Sequence, residues 1–110
     1  MIERYGVYWV SLDPVRGSEM SKTRPVVVIS DNEMNHSLET VVVCPLTSRI
    51  HEKWPSRVQT MVGGQNSEIA VDQIRTISRG RIGKQIGKID STRAEQLRHI
   101  ITMMYGVLSA

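Results

Sequence analysis

The sequence has little cysteine and no long apolar run. Cys44 is the one cysteine among 110 residues, which excludes a disulfide within the chain and argues against a zinc site built from cysteines. The first five residues hold no apolar signal segment, and no apolar stretch approaches the roughly 20 residues that span a bilayer. We therefore expect a soluble, cytoplasmic protein that is neither secreted nor membrane-bound.

The composition is that of an ordinary globular protein without repeats or low-complexity segments. Hydrophobic residues make up 40% of the chain and charged residues 23%, which excludes a disordered or fibrous class. A chain of 110 residues is long enough for one core and too short for two, so we expect a single domain over 1–110.

Three short polar clusters stand beside apolar strand sequences. The first joins Gly17-Ser18-Glu19 to Thr23-Arg24-Pro25, the second is Pro45-Leu46-Thr47-Ser48, and the third is Asp72-Gln73-Ile74-Arg75-Thr76. Function is often carried by residues where a strand meets a loop. If the sheet brings these ends together, they offer a guanidinium, hydroxyls and carboxylates, which suits phosphate chemistry.

Alternating and continuous apolar patterns predict a mainly β protein. Residues 13–14, Asp-Pro, end the first strand, and 31–39 is interpreted as a polar turn region. Asp72 and Arg75 should face opposite ways in a regular strand. The predicted strands cover 5–12, 25–29 with Pro25 as the first residue, 40–46, 57–62 and 69–77, with short bent β pieces near 82–89.

The C-terminal segment predicts one amphipathic helix. Thr92 and Glu95 have the spacing of a capping box, so the helix should begin there. One face carries an apolar stripe that should pack on the sheet or on a partner, formed by Leu97, Ile100, Ile101, Met104 and Leu108. Short strands followed by a single helix predict a small twisted β-barrel with helical additions.

The three clusters, taken in order and with their spacing, resemble the MazF/PemK toxins over essentially the full length. The resemblance implies an SH3-like β-barrel homodimer with a C-terminal α-helix. It also implies a metal-independent endoribonuclease that needs no cofactor, cleaves single-stranded RNA at short sequence sites, stops growth by destroying messages, and is neutralised by a cognate antitoxin.

The resemblance also implies site residues. The family's catalytic arginine matches Arg24 and its catalytic threonine matches Thr47, while Ser48, Glu19 and Asp72 match positions that line the site or bind RNA. In the PemK branch an arginine precedes the matching aspartate by two residues, and here that position is Ala70. A mechanism that uses this second arginine cannot be transferred, so the base stays open between Glu19 and Asp72.

The chemistry of these side chains agrees with that function. RNA can be cleaved by its own 2′-hydroxyl if a protein stabilises the crowded, negatively charged phosphorane. Arg24 can give two parallel hydrogen bonds to phosphate, but its permanent charge makes it a poor base. The structural alternatives are an ion pair of Arg24 with Glu19, a strand-ending turn at Thr47, and an ion pair of Asp72 with Arg75.

A basic stretch follows the third cluster and could track a polyanion such as RNA. The alternative is a solvated edge strand. Trp54 could stack on a base or close over the barrel. No acidic residue interrupts 73–89, where the basic residues are Arg75, Arg79, Arg81, Lys84 and Lys88.

Two other functions stay open. A poison with the same barrel could bind a protein target such as DNA gyrase without catalysis, although binding a protein does not demand the pairing of Arg24 with Thr47. A non-catalytic barrel could bind RNA and leave it intact. A ribonuclease built on two histidines is disfavoured, because His36, His51 and His99 lie in two loops and a helix without shared spacing.

Overall fold

The computed structural model describes residues 1–12, 17–19 and 23–106, which form seven strands and two α-helices. The predicted Asp-Pro strand end at 13–14 and Leu108 lie outside the described residues. The strands are β1 Gly6–Ser11, β2 Thr23–Val28, β3 Thr40–Thr47, β4 Arg57–Val62, β5 Gln65–Ala70, β6 Arg75–Ser78 and β7 Ile82–Lys88, and the helices are α1 Asn32–Ser37 and α2 Ser91–Tyr105.

The strands form one antiparallel sheet that curls into a half-barrel. Its order is β4-β5-β3-β2-β1-β7, and β6 pairs with the first half of β3. The pairing of β1 with β7 shifts register twice, which agrees with the predicted bent β pieces near 82–89. The expected mainly β class with a C-terminal helix is confirmed.

Strand β3 carries an unbroken apolar run because both of its faces are covered. Val41 and Val43 pack into a cluster with β1, β2 and β6. Cys44 and Leu46 pack into a second cluster with β4, β5 and α2 on the other face. A strand buried on both faces reads as continuously apolar rather than alternating.

Strand β2 begins at Thr23, two residues before its predicted start at Pro25. Thr23 and Arg24 continue the pairing with β1, opposite Ser11 and Val10. Pro25 therefore lies inside the strand, and its interpretation as the first strand residue was wrong. The longer strand makes Arg24 part of the sheet rather than of a loop.

The prediction of one strand over 69–77 was wrong. This segment holds the end of β5 and most of β6, and the two strands pair with different parts of β3. Ile69 pairs with Leu46, and Arg75 pairs with Val43. The chain thus advances six residues while β3 advances three, and the excess forms a 3₁₀ turn at Val71–Gln73. The expectation that Asp72 and Arg75 face opposite ways along a regular strand fails with it.

Residues 31–39 contain helix α1, which the turn prediction missed. The Asp31 side chain caps it by accepting hydrogen bonds from the Glu33 and Met34 amides at 2.8 and 3.2 Å. Asn35, within the segment interpreted as a polar turn region, is buried, and its side-chain amide donates to the Ser30 carbonyl at 2.8 Å. His36 therefore lies in this helix and not in a loop.

Helix α2 begins one residue before the predicted capping box. Asp90 is the N-cap and accepts from the Arg93 amide at 2.8 Å, so the assignment of that role to Thr92 was wrong. Leu97 and Ile100 are buried as predicted, whereas Met104 is 38% exposed. No helix within the described ranges is long and apolar enough to cross a membrane.

We expect Leu97→Ala to lower the free energy of unfolding by about 2–5 kcal/mol, because Leu97 is fully buried beneath α2 and its loss leaves a cavity. Met103→Ala, on the exposed side of the same helix, is the matched control and should change stability by about 0.5 kcal/mol or less. Urea denaturation measures both. Equal effects would contradict the packing of this helix.

Candidate active site

The ends of β2 and β3 bring Arg24 and Thr47 together. Val26 pairs with Pro45, and continuing this antiparallel register by two residues sets Arg24 opposite Thr47. The Arg24 guanidinium donates to the Leu46 carbonyl at 3.3 Å, which fixes it beside the end of β3. Two residues far apart in sequence thus share one edge of the sheet.

Three adjoining cavities surround this edge. The central cleft, of about 520 Å³, holds Arg24, Thr47 and Asp72. The Trp9 pocket, of about 310 Å³, shares Arg24 and Thr47 and adds Ser48. The Glu19 pocket, of about 360 Å³, shares Asp72 and adds Glu19 and Arg75. All five predicted site-lining residues therefore border this group of cavities.

Arg24 and Thr47 differ in how they are held. Burial lowers the pKa of the Arg24 guanidinium, which nevertheless stays protonated at any ordinary pH. The Thr47 hydroxyl accepts a hydrogen bond from the Arg49 amide at 3.1 Å, a turn-type contact that orients its oxygen. Thr47 therefore takes part in a strand-ending turn, as the structural alternative expected, and it also lines the central cleft.

Asp72 is paired with Arg57 and not with Arg75. Arg57 Nε donates to Asp72 Oδ1 at 2.9 Å, and the Ser56 hydroxyl donates to the same oxygen at 2.8 Å. Burial alone would raise the Asp72 pKa, but these hydrogen bonds outweigh it and lower the pKa. Arg75 donates instead to the Leu12 carbonyl at 3.3 Å, so the alternative of an Asp72–Arg75 pair was wrong.

Arg57 supplies a second guanidinium to the cleft, which sequence reasoning missed. In the pairing of β4 with β5, Arg57 lies directly opposite Ala70, the position at which the PemK branch has an arginine. Its side chain is 3% exposed and reaches both Asp72 and Glu68. An arginine thus contacts Asp72 from the neighbouring strand.

Glu68 is a fully buried carboxylate behind the cleft, and it was also missed. It accepts hydrogen bonds from Arg57 Nη1 at 2.5 Å, Gln59 Nε2 at 2.9 Å and the His51 amide at 2.7 Å. Burial opposes its ionisation, but these three donors lower its pKa overall. The available signal was a glutamate directly before the apolar residues 69–71.

His51 and Trp54 form the outer wall of the central cleft. Their rings stack with centroids 3.9 Å apart, and the Arg57 guanidinium lies 4.6 Å from the Trp54 ring. His51 Nδ1 is 3.6 Å from Glu68 Oε2. His51 was considered only as a member of a disfavoured histidine pair, yet it lies in the same cleft as Arg24 and Thr47.

The basic stretch does not form one track beside the cleft. Arg75 lines the Glu19 pocket, whereas Arg79 donates to the Asn35 carbonyl at 2.7 Å beside α1. Arg81 donates to the Ser11 carbonyl at 3.3 Å. Lys84 is exposed on β7, and Lys88 pairs with Glu3 at 3.6 Å. Several of these basic side chains therefore tie strands and loops together.

Among the residues that the structure describes, no group of three or more His, Cys, Asp or Glu side chains is arranged to hold a metal ion. The donors gathered at the cleft are guanidinium, hydroxyl, imidazole and carboxylate groups. Such a set can bind an anion and move protons.

We expect Glu68→Gln to lower the free energy of unfolding by about 3 kcal/mol, because it leaves the Arg57 charge less compensated in a buried position. The exposed Glu95→Gln serves as the control and should have an effect within about 0.5 kcal/mol. Chemical denaturation at pH 7 measures both, and equal effects would contradict a stabilising role for the buried pair.

Acid should destabilise the wild type more than Glu68→Gln. The pKa values of Glu68 and Asp72 lie below their ordinary values of 4.5 and 3.8, so the unfolded chain binds more protons in this range. The stabilisation that these two carboxylates provide is complete above their ordinary pKa values. It is lost as the pH falls through their lowered pKa values in the folded protein. Denaturation from pH 7 to 3 checks this, and parallel curves for the two proteins would contradict it.

Comparison with known proteins identifies relatives of this chain. Residues 3–105 match the family described as PemK-like, MazF-like toxin of type II toxin-antitoxin system. The chain is 30% identical over 112 residues to an Endoribonuclease MazF from Staphylococcus saprophyticus, covering 97% of this chain and 93% of the relative.

Solved structures share the fold. MazF from Deinococcus radiodurans superposes with a TM-score of 0.85 at 22% identity, covering 96% of this chain and 97% of that one. An endoribonuclease in complex with its cognate antitoxin from Mycobacterial species gives 0.81 at 18% identity and covers both chains fully. On the match over 3–105, the chain belongs to the PemK-like, MazF-like toxin family of type II toxin-antitoxin systems.

Proposed function

We propose that this protein is a sequence-specific endoribonuclease toxin that cleaves single-stranded RNA without a metal ion. The 2′-hydroxyl attacks the adjacent phosphate and yields a 2′,3′-cyclic phosphate and a 5′-hydroxyl end. The observation that carries the proposal is the meeting of Arg24 and Thr47 at one cleft. The relative named Endoribonuclease MazF supports the same activity.

Arg24 stabilises the charge that develops on the phosphate. Its guanidinium can give two parallel hydrogen bonds to phosphate oxygens, and partial burial strengthens them by removing competing water. The lowered pKa also makes its protons slightly easier to donate. Preorganised donors of this kind act mainly on the transition state.

Thr47 and Ser48 position the phosphate. The Thr47 hydroxyl is held by the Arg49 amide, so its own hydrogen can be directed toward a phosphate oxygen in the cleft. Ser48 offers a second hydroxyl in the adjoining Trp9 pocket. Together they fix the scissile group against Arg24.

The two predicted carboxylates, Asp72 and Glu19, lie in different environments. Asp72 is engaged by Arg57 and Ser56, and its lowered pKa makes it a weak proton acceptor. We assign it to ordering the cleft. We assign Glu19, which lines the pocket beside the central cleft, to contact with the RNA strand.

Trp54 and nearby basic side chains hold the RNA. Trp54 is 46% exposed, and its stacking on His51 and Arg57 keeps the ring in place for a base. Arg75, in the Glu19 pocket, is the member of the basic stretch best placed for phosphate. Arg79, Arg81, Lys84 and Lys88 would add long-range attraction.

The protein's partners follow from its family. Type II toxins are paired with antitoxins, and a related fold has been solved in complex with its cognate antitoxin. We propose that an antitoxin with an acidic and apolar segment covers the cleft and blocks RNA. On the family resemblance alone, we also propose a homodimer that arrests growth in the cytoplasm by destroying messages.

The two other functions explain less of the structure. A gyrase-type poison requires no cleft with a guanidinium and oriented hydroxyl. A non-catalytic RNA binder would need the basic surface but not the pairing of Arg24 and Thr47. The cleft therefore favours catalysis.

We expect Arg24→Ala to slow RNA cleavage by about 10²–10³-fold, because it removes the preorganised positive charge. Thr47→Val keeps the shape and removes the hydroxyl, and it should slow cleavage with little change in RNA affinity. Cleavage of a random single-stranded RNA pool in EDTA, read by end mapping, measures both. The control is Arg98→Ala, on the exposed side of α2. Full activity in a folded Arg24→Ala protein would refute the assignment.

Trp54→Ala should weaken binding by about 1–3 kcal/mol, roughly 5- to 150-fold, if a base stacks on the ring. Binding of 2′-O-methyl RNA, which lacks the attacking hydroxyl, separates affinity from cleavage. Met61→Ala, another exposed apolar residue on β4, should leave affinity unchanged. Equal affinities for Trp54→Ala and wild type would remove Trp54 from the RNA-binding surface.

A further inference from the structure

We propose that His51 is the proton acceptor of the cleavage reaction, an inference that rests on the proposed endoribonuclease function. Attack by a 2′-hydroxyl requires a group that takes its proton. Arg24 already carries its proton, and the Thr47 hydroxyl is not basic at neutral pH. A side chain that takes the proton is therefore another group of the central cleft.

The predicted carboxylates fit this role poorly. Asp72 Oδ1 accepts from Arg57 and Ser56, and Oδ2 lies 3.5 Å from Arg57 Nη2. An acceptor whose oxygens are already engaged by a cation gains little from a further proton. Glu19 lines the neighbouring Glu19 pocket, and Glu68 has no exposed surface.

The contacts of His51 favour the tautomer that carries its hydrogen on Nδ1. Its Nδ1 lies 3.2 Å from the Arg49 carbonyl oxygen and 3.6 Å from Glu68 Oε2. The carbonyl and the ionised carboxylate can only accept, so Nδ1 keeps its hydrogen. The lone pair is then on Nε2, which becomes the basic nitrogen of the ring.

The ring is also held in a fixed place. The His51 amide donates to Glu68 Oε1 at 2.7 Å, so one buried carboxylate anchors both the backbone and the side chain. Trp54 stacks on the ring at 3.9 Å. The side chain is 29% exposed, which leaves it accessible to substrate while Glu68 remains buried. Glu68 is thus a positioning residue.

Charged groups from several elements surround His51. Glu68 on β5 has a carboxylate oxygen 3.6 Å from His51 Nδ1. Arg57 on β4 compensates Glu68, and Arg49 lies on the same loop as His51. Arg24 and Asp72 line the cleft with the ring.

In the proposed step, the 2′-oxygen forms a bond to phosphorus and the bond from phosphorus to the 5′-oxygen breaks. The 2′-hydroxyl proton passes to His51 Nε2, and the leaving 5′-oxygen takes a proton from water. The imidazolium then returns its proton to solvent. General base catalysis of this kind contributes about 10²–10⁴-fold in rate.

The test compares wild type with His51→Gln, whose side-chain amide is polar but cannot act as a base. We expect cleavage of a mapped single-stranded RNA site in EDTA to fall about 10²–10⁴-fold at saturating RNA. Binding of the 2′-O-methyl form of that site measures separately any loss of affinity that arises through the neighbouring Trp54. The wild-type rate should rise with pH, because a general base must be unprotonated to act, and this rise should vanish in the variant.

His51→Ala provides an independent readout, because added imidazole should restore part of its activity. His99→Gln on α2 is the matched control and should cleave as wild type does. Wild-type cleavage with an equally active His51→Gln would overturn the inference and leave the ribonuclease function standing. A slow variant that keeps the pH rise and gains nothing from imidazole would show a structural role and also overturn it. Absence of cleavage by the folded wild type would overturn both.

Discussion

A carboxylate without solvent contact must be compensated on all sides, and Glu68 imposes this requirement on the region behind the cleft. Arg57 and Gln59 reach it from β4, and the His51 amide reaches it from the loop after β3. Each of these partners is thereby fixed relative to the end of β3. Removing one partner of such a buried ion pair costs several kcal/mol, so the positions of these partners depend on one another.

The geometry of the cleft follows from that constraint. Arg57, held by Glu68, also holds Asp72 and lies against Trp54. The last residue of β3 is Thr47, which pairs with Glu68 in the β3–β5 register and faces Arg24 when the β2–β3 register is continued. The sheet thus places the phosphate-binding groups, and the buried ion pair places the wall that faces them.

Local patterns in the sequence were sufficient for much of the fold. The bounds of β4, the Gly63-Gly64 turn and the buried stripe of α2 were predictable because period and turn chemistry are local properties. The break at Val71–Gln73 was not, because it arises from a mismatch with β3 that only the assembled sheet contains. Asp90 was overlooked as the helix cap because Thr92 and Glu95 offered a competing pattern.

The site also contains residues that local sequence patterns identify and residues that only the assembled sheet brings together. Arg24, Thr47 and Asp72 stand in clusters at strand ends, and a family resemblance identifies them. Arg57 and Glu68 are isolated charges in the sequence, and their burial depends on the pairing of β4 with β5. His51 acquires a role through Glu68, 17 residues away. Contacts of this kind have no local signature.

The most direct measurement is mass spectrometry of the RNA ends produced in EDTA, with a matched substrate that carries a single 2′-deoxy nucleotide before the scissile phosphate. The account predicts a 2′,3′-cyclic phosphate and a 5′-hydroxyl from the all-ribose strand and no cleavage of the deoxy strand. A 5′-phosphate end, cleavage of the deoxy strand, or intact RNA throughout would contradict it.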